Sequence, residues 1–394
     1  AEALYGPRHL QVGLIILSEG IVDSASHRDF DGALAHFRHA LEIFQEAYGE
    51  LHPRIASAYN NIGGVYFRRA QYPEAIVEFE RSQAVYEAIY GPEHPQTMRA
   101  IGNLGAAVYL RGDIDRAIDL VQRTVDLQAK TEGKDTPSYM TASANLAAML
   151  HEAGRSEEAL PLFQHIYERR LATLGADDPQ TLVAAGQLVS MALVLEDEEL
   201  AARHGEPLLL ALPNIAEDSS DLAEVLLPVH AYLAHLDQHE RALEVSERLV
   251  ALYAKEQGSA SAQVAWNTAR VARDLNALDR HEEARERASA ALATLAADPE
   301  RDRVREIGLL MTLAEAERGL DQPEAAREHY RTIVEILGDG ARGKEDLAAA
   351  HIALAELSTG DEREREAQAA LALLEGLARV DEKRAKAETL LGSR

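Results

Sequence analysis

The stretch YGPEHP, Tyr90 to Pro95, sets a glycine where a helix would stop and two prolines where the next would start. Similar strings stand at Tyr48 to Pro53 (YGELHP), Glu132 to Pro137 (EGKDTP) and Leu174 to Pro179 (LGADDP). Gly49, Gly91, Gly133 and Gly175 are each 42 residues apart, and so are Pro53, Pro95, Pro137 and Pro179. A fixed period of this length marks stacked structural repeats rather than the core of a globular enzyme. Because an array grows by stacking, 394 residues do not fix a domain count.

Between these marks the apolar residues recur at three and four, the helical period. In the second unit RIASAYNNIGGVYFRRAQ forms one amphipathic stretch and YPEAIVEFERSQAVYEAIY a second, with a turn at Gln71 to Pro73. Proline suits a first helical turn, where its missing N–H is not needed, and Glu74 suits the positive end of the helix dipole. Each unit is therefore a helical hairpin. A small residue near the start of the second helix repeats at Ala33, Ala75, Ala117, Ala159, Ala201, Ala242, Ala284, Ala325 and Ala367, which predicts nine hairpins. Gly63 and Gly105 supply the matching small position on the first helix, so that the two helices approach closely.

Composition narrows the function. Hydrophobic residues make up 46% and charged residues 27%, the balance of a folded, water-soluble chain. The net charge of −26 argues against a broad nucleic-acid or anionic-membrane surface, both of which need clustered cations. With no cysteine, disulfides, thiolate metal sites and a cysteine nucleophile are excluded. No apolar run reaches a membrane span and no signal-like segment opens the chain, so a cytoplasmic location without membrane insertion is expected.

Several strings look like chemistry and read better as structure. GDGARGKE, Gly338 to Glu345, matches a phosphate-binding loop except that a helix precedes it and an acid follows the lysine. It reads as a loop between hairpins. HRDFDG, His27 to Gly32, lacks every other kinase element and reads as the turn of the first hairpin, with Phe30 packed. The pairs His36 with His39, His230 with His235 and His235 with His239 read as surface or interface histidines, since no zinc-binding pattern surrounds them. No cofactor, metal or catalytic set is expected.

Ile62 with Gly63, Tyr66, Ala75 and Phe79 stand at the spacing of the tetratricopeptide pattern, and the chain resembles that family in the longer-repeat form of kinesin light chains and bacterial multidomain proteins. The resemblance implies an all-α, right-handed tetratricopeptide superhelical solenoid of about nine hairpins. Residues 1–205 carry the five regular hairpins, 206–380 four divergent ones, and 381–394 a capping helix or tail. Gly205, Pro207 and Pro228 break the pattern, and a helix-interior proline costs about 3 kcal/mol. A bend over 205–228 is one reading, and an irregular but rigid packing the other.

In that family the first helix of each hairpin lines a concave groove. One position there carries Asn61, Asn103, Asn145 and, in the fifth unit, Gln187. Asparagine is mildly unfavourable in mid-helix, whereas a row of amides can pair with the backbone of an extended peptide whatever its side chains. The resemblance extends the candidate site to Asn60, with Arg68, Arg99, Phe67, Tyr109 and His151 on the same face, and to Trp266, Arg270 and Arg273 in the seventh unit. The alternative is that the amides only bond between adjacent hairpins. The expected function is a non-catalytic scaffold binding a protein or peptide, with self-association as a further partner mode. The alternative is the sensor part of a bacterial signalling protein with an upstream kinase or ATPase.

Overall fold

A computed structural model describes residue 6 and residues 8–27, 29–215, 221–297, 303–338, 343–375 and 380–392. Every regular element among them is helical, and they fall into nine hairpins and a final helix. The first four hairpins pair α1 (Leu10–Val22) with α2 (Phe30–Tyr48), α3 (Pro53–Arg68) with α4 (Tyr72–Tyr90), α5 (Pro95–Leu110) with α6 (Ile114–Thr131), and α7 (Pro137–Glu152) with α8 (Ser156–Leu174). Next come α9 (Pro179–Leu195) with α10 (Glu198–Ala211), α11 (Leu222–His235) with α12 (His239–Gln257), and α13 (Ala262–Ala277) with α14 (His281–Ala296). Then α15 (Ile307–Gly319) pairs with α16 (Pro323–Leu337), α17 (Lys344–Leu357) with α18 (Gly360–Leu374), and α19 (Asp381–Gly392) follows. The all-α repeat fold expected from the period is the fold observed.

The chain forms two compact units: Ala1–Ala184 with Val194–Glu196, and Ala185–Leu193 with Asp197–Arg394. Their buried apolar residues gather in separate clusters at the seams, such as Ala33, Leu34, Phe37, Ile62 and Val65 in the first and Ala265, Ala272, Ala284 and Leu309 in the second.

The opening string now has a physical account. Gly49 and Gly91 end α2 and α4 at φ +74° and +84°, a conformation that only glycine adopts without strain. Pro53 and Pro95 open α3 and α5, and the histidine before each caps the helix. His52 Nδ1 accepts from the Arg54 N–H and His94 Nδ1 from the Gln96 N–H, both at 3.2 Å. The tyrosine stacks on that histidine, with ring centroids 3.7 Å apart for Tyr48 and His52 and 4.1 Å for Tyr90 and His94. Thr136 and Asp178 take over the capping at Pro137 and Pro179.

Within each hairpin, close approach depends on a size-matched pair. A Cβ on Gly63 would stand 2.7 Å from the Phe79 ring, and one on Gly105 would stand 2.9 Å from Val121. The alanine marker is fully buried at Ala33, Ala75, Ala117, Ala159, Ala242, Ala284 and Ala367 and nearly so at Ala201. In the eighth hairpin the buried residue is Ala326, not Ala325, which stays partly exposed. Counted to Ala326 the interval from Ala284 is a full 42 residues, and the shorter step of 41 follows, to Ala367.

The irregular fifth and sixth units keep their prolines inside helices. α10 continues through Pro207 and α11 through Pro228. The Tyr232 ring fills the space left by Gly205, where a Cβ would stand 2.5 Å away, and Pro228 lies against Gly186. Residues 216–220, in the middle of the expected bend, lie outside the described residues. So do residues 339–342 of the GDGARGKE string, which joins α16 to α17 between hairpins. Asp29 of the HRDFDG string caps α2, its Oδ1 accepting from the Gly32 N–H at 2.9 Å. α19 buries Ala387 in one cluster with Ala348, Ile352, Ala370 and Leu374 of the ninth hairpin.

Candidate functional site

The first helices of unit one carry the amide row. Asn103 Nδ2 donates to Asn60 Oδ1 at 2.8 Å, joining the third hairpin to the second. This bond needs an asparagine one place before the row in the preceding hairpin, and there the later units carry Gly102 and Ala144. Asn61, half-buried, and Asn145, exposed, make no side-chain hydrogen bond among the described residues. One rung is thus structural, while these two amides have no hydrogen-bond partner among the described residues. Gln187, on the part of α9 that belongs to the second unit, is half-buried and likewise unbonded among the described residues.

Around Asn61 the first two hairpins form a groove of 260 Å³ lined by Asn60, Asn61, Gly64 and Arg68 with Ile21, Ala25 and Phe37. Arg68 is exposed, its guanidinium 5.9 Å from the Phe30 ring centroid. An unbonded amide, a cation and apolar walls together can hold a main-chain segment and one side chain. The other candidates on this unit are tied down. Arg99 donates to Gln96 Oε1 at 2.5 Å, the Tyr109 hydroxyl donates to Glu152, and His151 Nδ1 lies 3.0 Å from Ser156 Oγ. Phe67 packs edge-on to Tyr72. Glu152 raises the Tyr109 hydroxyl pKa by holding its proton, with burial adding to this.

In unit two, Arg270 stands at the amide position and Arg273 one turn on, with Trp266, 42% exposed, one turn before. Arg270 donates to Asn267 Oδ1 at 3.1 Å, and burial followed by the like charge of Arg273 lowers its pKa. Across from them Glu315 has its pKa raised by burial, with Arg273 and Arg318 acting in the opposite sense. The Glu315 side chain is nonetheless exposed, and solvent screening moderates that effect.

A polar cluster that the sequence reading missed sits below this face. His230 Nε2 lies 3.0 and 3.2 Å from the two carboxylate oxygens of Asp274, and Ser246 Oγ donates to Oδ2 at 2.7 Å. The three are 5%, 1% and 0% exposed, so His230 is an interior residue and not a surface histidine. It binds α11 and α12 to α13, across the seam between the sixth and seventh hairpins. The available signal was register: His230 falls where other units carry Gly63, Gly105 and Ala147, and Ser246 where they carry Phe79 and Phe163. The remaining histidine pairs hold no metal geometry: His36 bonds Asp23 at 2.9 Å and His235 bonds Glu198 at 3.0 Å. Among the described residues no group of three or more His, Cys, Asp or Glu side chains could hold a metal ion, and no helix is long and apolar enough to cross a membrane.

The fold is that of a helical-repeat scaffold. Tetratricopeptide-repeat family models match residues 25–88, 54–130 and 140–180, so the chain carries tetratricopeptide repeats over most of its first four hairpins. The quorum sensor NprR from B. thuringiensis in its apo form is similar in fold, at TM-score 0.59 and 14% identity, over 83% of this chain and 88% of that one. So is an IFIT1 monomeric mutant bound to m7Gppp-AAAA, at TM-score 0.56 and 13% identity, over 95% of this chain and 81% of that one. Repeats of a putative kinesin light chain from Podosopora anserina align at 21% identity and TM-score 0.45, over 52% of this chain and 98% of theirs. No curated protein matches the sequence.

Proposed function

We propose that the chain is a non-catalytic scaffold that takes a peptide or an extended segment of a partner protein along the first-helix face of unit one. The observation that carries this reading is the groove at Asn61 and Arg68, where an amide with no hydrogen-bond partner among the described residues stands beside Ile21, Ala25 and Phe37. An amide kept from bonding inside the helix array is mildly costly to the fold and useful to a ligand. Asn145 repeats that amide two hairpins further along. The acidic surplus of the chain disfavours nucleic acid as the occupant, and a cytoplasmic setting fits the same reading. A sensor part of a larger signalling protein would use the same face for its effector.

The test is capture of partners from a lysate by the wild-type chain and by Asn61→Ala with Asn145→Ala, after circular dichroism has established equal helicity. A partner held by the wild type and released by the double variant supports the site. Equal retention by both moves recognition to the Trp266, Arg270 and Arg273 face, which Arg270→Ala with Arg273→Ala then examines in the same way.

A further inference from the structure

The string YGPRHL at residues 5–10 has the pattern of YGELHP and YGPEHP, the linkers between hairpins. Gly6 has φ +82°, as Gly49 and Gly91 have +74° and +84° where α2 and α4 end. His9 caps α1, its Nδ1 accepting from the Gln11 N–H at 3.2 Å, in the manner of His52 and His94. α1 is thus entered through a hairpin-to-hairpin linker.

The face that α1 leaves open is the matching half of that junction. A Cβ on Gly20 would meet the Phe37 ring at 2.7 Å, as one on Gly63 would meet Phe79, so Gly20 holds the place of Gly63. The spacing is one residue longer than the period, and the π-helical turn Asp23–His27 takes up the extra residue. In this register Ile15, Glu19 and Val22 correspond to Ala58, Ile62 and Val65 of α3. The α3 residues are buried, Ile62 and Val65 against Ala33, Leu34 and Phe37 of the preceding second helix. Ala100, Leu104 and Ala107 of α5 are buried at the same places. On α1, Ile15 and Val22 are 45% and 48% exposed, and with Leu14 and Ser18 they border a recess of 410 Å³.

We propose that this face docks the second helix of a further hairpin of the same repeat type, joined to α1 through the Gly6 linker. The occupant is identified by continuity: the open face is the next place in the series of junctions that α2 makes with α3. Glu19 stands where α3 has Ile62, so the docking helix brings a basic side chain opposite it. This goes beyond the peptide-binding reading and does not depend on it.

The experiment places a copy of residues 53–90 directly before Gly6, so that Tyr90 takes the place of Tyr5, in the full chain with native Glu19 and with Glu19→Ile. Amide hydrogen exchange is followed across α1. Exchange slowed roughly tenfold or more in the extended chain, and restored by Val22→Asp, supports the proposal. In the unextended chain the same substitution leaves exchange and helicity unchanged. Unaltered α1 exchange in both extended versions overturns it. Sedimentation of the unextended chain covers the other occupant: a dimer that Val22→Asp abolishes assigns the face to a second copy and also overturns the proposal.

Discussion

The second and sixth hairpins solve one packing problem in opposite ways. In the second, Gly63 lets the Phe79 ring lie directly on the first helix, and the seam is apolar. In the sixth, the large residue has moved to the first helix as His230 and the small one to the second as Ser246, with Asp274 of the next hairpin completing the set. The fifth hairpin shares the inversion, with Val189 at the glycine position and Gly205 opposite, and Tyr232 fills the gap. The seam conserves volume rather than residue identity. What differs is the failure mode, since a buried carboxylate punishes the loss of its partners or itself far more than a ring on a glycine does.

The largest effect should come from the sixth seam. Asp274→Ala strands His230 and Ser246 in the interior and should cost about 3–5 kcal/mol, read as a lowered urea midpoint for the second unit. A loss below about 1 kcal/mol would erase the contrast drawn above. The sharper version converts the seam to the other type: His230→Gly, Ser246→Phe and Asp274→Ala together should be more stable than Asp274→Ala alone, because coupled sites do not add. Next in size, Gly63→Val drives methyl groups into Phe79 and should cost about 1–3 kcal/mol, measured by thermal unfolding of the first unit.

Acid should separate the two units by a smaller margin. His204 in the second unit has its pKa lowered by burial and then by Arg203, so the unfolded chain binds this proton more readily than the folded one. Stability supplied by the neutral ring is present above the unfolded pKa of about 6.5 and is lost as pH falls through it. Exchange in α10 should accelerate between pH 7.5 and pH 5.5, values bracketing that pKa, and His204→Leu should flatten the response. His52 of the first unit is also lowered, by burial and then by Arg54, but it lies at a loop surface, so the effect there is weaker. At the small end, Asn103→Ala removes one inter-hairpin bond and should cost about 1 kcal/mol, whereas Asn145→Ala should stay within about 0.5 kcal/mol. Equal costs in differential calorimetry would mean that Asn145 is as structural as Asn103.

Periodicity made the helical hairpins, their number and their linkers readable, because glycine and proline act through backbone geometry that survives divergence. Register inside an alanine-rich helix was less readable: Ala325 and Ala326 are the same residue, and only burial tells them apart. The amide row was legible as a row, but the bond from Asn103 to Asn60 spans 43 residues and answers to a neighbour off the period. The His230, Ser246 and Asp274 cluster was hidden because its members come from three helices, and each alone resembles a tolerated substitution.

The turn inside each hairpin has a longer consequence. A residue with positive φ stands five places before the buried alanine at Ala70, Gly112, Gly154, Glu196, Asp237, Asp279 and Asp321, whether or not glycine is available. Left-handed alanine, glutamate and aspartate each carry about 1–2 kcal/mol of strain, and yet the spacing holds across these seven turns, whereas in the ninth hairpin Gly360 stands seven places before Ala367. For inheritance by duplication this makes the hairpin the indivisible piece. Length drift between Ala201 and Ala242 is taken up outside the turn, so insertions, grafts and circular permutation should be accepted at the linkers and rejected at the turns.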